Sequence, residues 1–103
     1  MRVVFALFLA FWAAFASEIS IATYNVQNLF DCKNDGSEYL DFQVGVSKWD
    51  CEAAGGKLQR TRQIISAIDT DIIALQEVEN EQVLKNLVEG SDYKFIIFTK
   101  EKN

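Results

Sequence analysis

Two residues stand out by type and setting, Glu77 and Asn25. In residues 72–80 (IIALQEVEN) a short apolar run leads straight into Gln76, Glu77 and a polar tail. In residues 19–25 (ISIATYN) a β-branched and aromatic run ends on an amide. Each reads as a buried strand that delivers a polar side chain at its carboxyl end. A hard divalent cation takes oxygen ligands, commonly one or two carboxylates completed by water and substrate phosphate. Glu77 suits that role, and Asn25 could hydrogen-bond the carboxylate or orient a phosphate or a metal-bound water. The residues alone allow a second reading equally well, with Glu77 solvated at a strand end and Asn25 capping a turn. With two cysteines and no histidine in 103 residues, the composition argues against a zinc site.

The elements that must position these residues follow from periodicity. After strand 19–25, residues 26–30 (VQNLF) leave it, with Leu29 and Phe30 available to pack under the turn. Residues 31–56 hold both cysteines, most of the glycines and many acids, with no persistent period. Such a long loop within a compact domain is uncommon. It reads either as a solvated insertion or as a substrate-contacting loop, with Trp49 available to pin it. Residues 57–69 place Leu58, Thr61, Ile64, Ile65 and Ile68 on one helical face. Arg60, Arg62 and Gln63 then point away, as a solvated face rather than a phosphate patch. Strand 72–76 follows. Asn80 is placed as an N-cap, 81–89 form a second helix with Val83, Leu84, Leu87 and Val88 on one face, and Gly90 suits the position after its end. Residues 93–98 (YKFIIF) read as a third strand. The order is β, loop, α, β, α, β, which implies an α/β layer structure. Strands one and two, joined through a helix, would lie parallel with Asn25 and Glu77 at the same edge, where open α/β sheets bind ligands.

Residues 1–16 read as a cleavable secretory leader: a basic start, an apolar run over 3–13, and Ala14-Phe15-Ala16 as a small-x-small cleavage pattern. The alternative, a membrane anchor, needs roughly 20 apolar residues, more than this run has. The remaining domain, 17–103, is more acidic still without Arg2, from a whole-chain net charge of −5. An acidic chain lacks the basic footprint of a passive nucleic-acid binder, but a bound cation can screen phosphate for an enzyme. Export to the periplasm or beyond also suits a Cys32–Cys51 disulfide, against the alternative of two unpaired thiols.

The paired motifs resemble a known family. IATYNVQNLFD followed by DTDIIALQEVEN is similar to the endonuclease/exonuclease/phosphatase superfamily, with its DNase I-like fold. Tyr24-Asn25 matches the end of that family's first strand motif, and Leu75-Gln76-Glu77-Val78 matches its Leu-Gln-Glu-Val motif. The resemblance covers residues 19–98. It implies a four-layer α/β/β/α sandwich, of which this is the N-terminal part. It further implies Glu77 as ligand of a catalytic Mg²⁺ or Mn²⁺, Asn25 as an active-site polar contact, and a phosphoester substrate, nucleic acid foremost. The wording NVQNLFD looks especially like that of exported bacterial nucleases of the family. The pattern departs from the family downstream: these residues contain no histidine and no later Asp-x-Asn. The expectation is therefore a truncated domain that is inactive and marginally stable alone, needing the C-terminal half of the same domain. The alternative is a small exported binding or interaction protein that keeps the half-fold without catalysis.

Overall fold

A computed structural model describes residues 18–100. The leader read over residues 1–16 lies outside the described residues. Strand β1 (Ile21–Leu29) is followed by a long loop with a single 3₁₀ turn at Leu40–Phe42, helix α1 (Cys51–Ile68), strand β2 (Ile72–Val78) and helix α2 (Glu81–Val88). The two strands pair in parallel, from Ile21 opposite Ile72 to Asn25 opposite Gln76. Their starts are laced together. Ser20 donates its N–H (2.9 Å) and its hydroxyl (3.0 Å) to Asp71 Oδ2. The Asp71 N–H in turn donates to Ser20 Oγ at 2.9 Å.

Helix α1 starts earlier than the expected residue 57. Asp50 caps it, its side chain accepting from the Ala53 N–H at 2.7 Å, and such a cap is worth about 1 kcal/mol. Cys51, in the first turn, is bonded to Cys32, with the two Cα atoms 5.0 Å apart. These two ties carry the helix through Gly55 and Gly56, each of which costs roughly 1 kcal/mol against alanine. Asp69, in left-handed conformation (φ 48°), ends it. Asn80 caps α2 as expected, accepting from the Val83 N–H at 2.8 Å, and Gly90 follows with φ 78°.

The core gathers Val26 and Leu29 from β1, Ile65 from α1, and Val83, Leu87 and Val88 from α2. On α1 the buried positions are Ala54, Thr61 and Ile65. Ile64, one residue around from Ile65, is 40% exposed and not a core residue as its spacing suggested. Arg62 also departs from the solvated-face reading. It is half-buried, and its guanidinium donates to the Asn86 carbonyl on α2. An arginine at a helix–helix seam lays its apolar stem along the neighbour and keeps its head for a carbonyl.

Neither strand is interior on both faces. Ile21 is 69% and Ile72 51% exposed, alternating with the covered Tyr24, Val26, Ile73 and Leu75. Both helices lie against one face, and nothing among the described residues covers the other. Residues 93–98 do not join the ladder; the described sheet has two strands. Tyr93 and Ile96–Phe98 border β2 across a groove, and Phe95 is almost fully exposed. Without a covered opposite face, an alternating apolar segment gains too little burial to be held in register. No described helix is long and apolar enough to cross a membrane.

Aromatic side chains fold the loop onto this layer. Phe30 stacks on Phe42 with centroids 4.5 Å apart, and Trp49 meets Phe42 edge-on at 5.0 Å. Trp49 Nε1 donates to the Asp31 carbonyl at 2.7 Å, pinning the loop as expected.

Candidate active site

The regular pairing of β1 with β2 breaks at the carboxyl end of the sheet. It runs to Asn25 opposite Gln76 and resumes at Leu29 opposite Val78, so Val26, Gln27 and Asn28 stand against Glu77 alone. This is a bulge longer than the usual single extra residue, and bulges serve to re-aim side chains at sheet ends. Gln27 (φ 57°), Asn28 (φ 59°) and Glu77 (φ 64°) all take left-handed backbone. That conformation costs a residue with a Cβ roughly 1–2 kcal/mol. Three such residues side by side persist only if their surroundings compensate.

The compensation is visible atom by atom. Asn25 Oδ1 accepts from the Gln27 N–H at 2.8 Å. Glu77 Oε2 accepts from the Asn28 N–H at 3.2 Å. Lys57, on the second turn of α1, donates through Nζ to the carbonyls of both Gln27 and Asn28, the latter at 3.0 Å. The N–H and the carbonyl of both Gln27 and Asn28, removed from the ladder by the bulge, thus find partners. Burial, and secondarily Arg60, lowers the Lys57 pKa, while Glu77 pulls it the other way.

The structure places Asn25 and Glu77 on the same side of the sheet, where the regular pairing breaks, but β1 runs on through the bulge to Leu29, so Asn25 is not the strand's last residue as expected. It does not place Asn25 on the carboxylate: the Asn25 oxygen is used by Gln27, and Asn28 holds Glu77 instead. Glu77 is exposed, and Oε1 has no hydrogen-bond partner among the described residues. An outward carboxylate with one oxygen tethered and one open fits a hard cation that keeps water and takes phosphate oxygens. The soft donors are consumed, since both cysteines are in the disulfide.

Three further acids lie nearby and were not singled out by the sequence. Carboxylate oxygens of Asp31, Asp35 and Glu79 approach within 4.8 Å of one another, a group able to accept a cation. Glu79 and Glu77 border one hollow of about 170 Å³ with Asn28 and Ser37. Each of the three also has loop hydrogen bonds. Glu79 accepts from the Asp31 N–H (3.1 Å), Asp31 from the Lys33 N–H, and Asp35 from the Ser37 N–H; the Ser37 hydroxyl, with one proton to give, lies between Asp35 Oδ1 (2.7 Å) and Glu79 Oε2 (2.8 Å). Burial raises the Glu79 pKa against the opposing hydrogen bond from the Asp31 N–H, whereas the Ser37 hydrogen bonds lower that of Asp35. The sequence signal for this group was weak. Asp31 and Asp35 belong to an aperiodic loop, and nothing local connects them to Glu79.

A family model described as Endonuclease/Exonuclease/phosphatase family matches residues 20–99. The chain belongs to this family. The match runs from the start of β1 past α2, so Asn25, the bulge, Lys57 and Glu77 all lie inside it. Endonuclease/exonuclease/phosphatase proteins are phosphoesterase- and nuclease-type hydrolases, generally metal-dependent. The strand–helix–strand–helix order of the chain is that of part of the DNase I-like α/β fold. No curated protein and no solved structure matches the chain.

Proposed function

We propose that the chain supplies the Glu77 metal ligand and the Asn25 polar contact of an exported, Mg²⁺- or Mn²⁺-dependent phosphodiesterase, a nuclease acting on DNA or RNA. The observation that carries this reading is the strained bulge. Three left-handed residues without a glycine among them are kept at the strand ends, and their effect is to hold one Glu77 oxygen and leave the other open. Strain of this kind is retained where a site needs it. A bound cation would stabilise charge on a phosphoryl group. Glu77 would hold that cation, and Asn25 would orient polar groups beside it.

One outward carboxylate and one amide do not complete such a site. General-base and phosphate-positioning groups have to come from elsewhere, and the 103 residues hold no histidine. We therefore assign activity to an assembly that includes further chain, such as the C-terminal half of the same domain. These residues alone are then inactive. Export, by the leader over residues 1–16, agrees with the Cys32–Cys51 bond. A second reading, an exported interaction protein without catalysis, is favoured by the open sheet face around Ile21 and Ile72.

The test is a Mn²⁺ titration followed by paramagnetic broadening of backbone amides, alongside hydrolysis of plasmid DNA and an activated phosphodiester. Broadening centred on Glu77, removed by Glu77→Gln, with no turnover by the chain alone, is expected. Broadening centred on Asp31, Asp35 and Glu79 would move the metal ligand off Glu77. Turnover lost in Glu77→Ala would overturn the inactivity, and no binding at all would favour the interaction protein.

A further inference from the structure

Lys57 stands apart from the arginines that follow it on α1. Its ammonium contacts two successive carbonyls, those of Gln27 and Asn28. Successive carbonyls of a regular strand point to opposite edges and cannot share one donor. They converge here because Gln27 and Asn28 are both left-handed. The peptide group between Gln27 and Asn28 then has its carbonyl on Lys57 while its N–H, that of Asn28, reaches Glu77 Oε2. The reach of Lys57 is set covalently as well, since the first turn of α1 is bonded through Cys51 to Cys32, just beyond the end of β1. A lysine spanning from one element to the bulge of another, with its head on two main-chain carbonyls, is doing something other than solvating a helix.

We propose that Lys57 is a positioning residue for the metal site: by clamping the Gln27 and Asn28 carbonyls it locks the left-handed bulge, and through the Asn28 N–H it aims the Glu77 carboxylate. The proposal rests on the reading of Glu77 as a metal ligand. It assigns Lys57 no contact with substrate or metal. Its charge alone would act in the opposite direction, since a cation beside Glu77 repels a divalent ion. Clamping strengthens metal binding only by fixing the ligand, as outer partners of metal ligands do.

That opposition of sign makes the test decisive. The chain is titrated with Mn²⁺ alone, reading the Glu77 and Asn28 amides by NMR, as wild type, Lys57→Met, Lys57→Arg, the pair Gln27→Gly/Asn28→Gly, and that pair with Lys57→Met. Lys57→Met is expected to weaken Mn²⁺ binding about tenfold, and Lys57→Arg to restore most of it. Glycine takes left-handed backbone without strain, so Lys57→Met in the glycine background is expected to change binding less than about twofold. Tighter or unchanged binding in Lys57→Met overturns the proposal, as does equal weakening in both backgrounds. If Lys57→Met unfolds the protein but folds in the glycine background, the clamp is supported; unfolding in both backgrounds makes Lys57 merely structural and overturns it. Should wild type bind no Mn²⁺ at Glu77, the metal reading fails separately. The clamp then stands or falls on whether Lys57→Met shifts the Asn28 and Glu77 amides and the glycine pair cancels that shift.

Discussion

The Asn28 N–H donates to Glu77 Oε2 over 3.2 Å, joining residues 49 positions apart. The contact exists because β1 loses register with β2 just before its end. In an unbroken ladder the Asn28 N–H would belong to the sheet or to solvent, and the carboxylate would be free to swing. The bulge turns a strand-end glutamate into a side chain with a fixed orientation.

Glu77→Gln keeps an acceptor for the Asn28 N–H and removes the charge. We expect the fold to survive, with melting temperature changed little, and Mn²⁺ affinity to fall at least about tenfold. Isothermal titration beside circular dichroism separates the two effects. A variant that binds Mn²⁺ like wild type would show that the cation sits elsewhere.

The Cys32–Cys51 bond closes the long loop across a separation of 19 positions. Loop closure of that size contributes about 3 kcal/mol, so reduction is expected to lower the melting temperature by on the order of 15 °C in a domain this small. Cys51→Ser should start at the lower value and not respond to reductant. Identical melting with and without reductant would mean that the bond does not form in solution.

Ile65 is 2% exposed in the seam between α1 and the rest of the core, whereas its neighbour Ile64 is 40% exposed. Ile65→Ala is expected to cost about 2–5 kcal/mol, and Ile64→Ala under about 1 kcal/mol. Urea unfolding of the two variants reads the difference directly. Equal costs would mean that α1 is rotated from the orientation described.

Asp71 has its pKa lowered below 3.8, first by the backbone hydrogen bond from Ser20 and then by the hydroxyl of Ser20. A depressed carboxylate stabilises the fold above its unfolded pKa, and that contribution disappears as pH falls through the lower, folded value. Wild type should therefore melt above Asp71→Asn at neutral pH, and the two should converge as pH drops below 3.8. A gap that persists unchanged into acid would assign the effect to packing rather than to the Ser20 hydrogen bonds.

Much of this was legible in the residues, and the exceptions share a cause. The parallel pairing followed from two apolar runs separated by a helical period, and the Asn80 cap from an amide before an apolar face. The start of α1 was misplaced because Gly55-Gly56 reads locally as a break, while the cap and the disulfide that override it act from Asp50 and Cys32. Ile64 was misassigned because a helical period cannot tell the centre of a stripe from its flank. Residues 93–98 have a strand's composition, but pairing needs a partner edge and a covered face, which composition does not report.

By itself the sequence determined that Asn25 and Glu77 stand on two parallel strands joined through a helix, since alternation and helical spacing are local properties of the chain. Only the tertiary structure decided what those side chains do. The left-handed turn at Gln27 and Asn28, the Lys57 contacts to their carbonyls, and the tether on Glu77 bring together β1, α1 and β2. No local propensity predicts strained backbone. It persists because partners distant in sequence satisfy the polar groups it exposes.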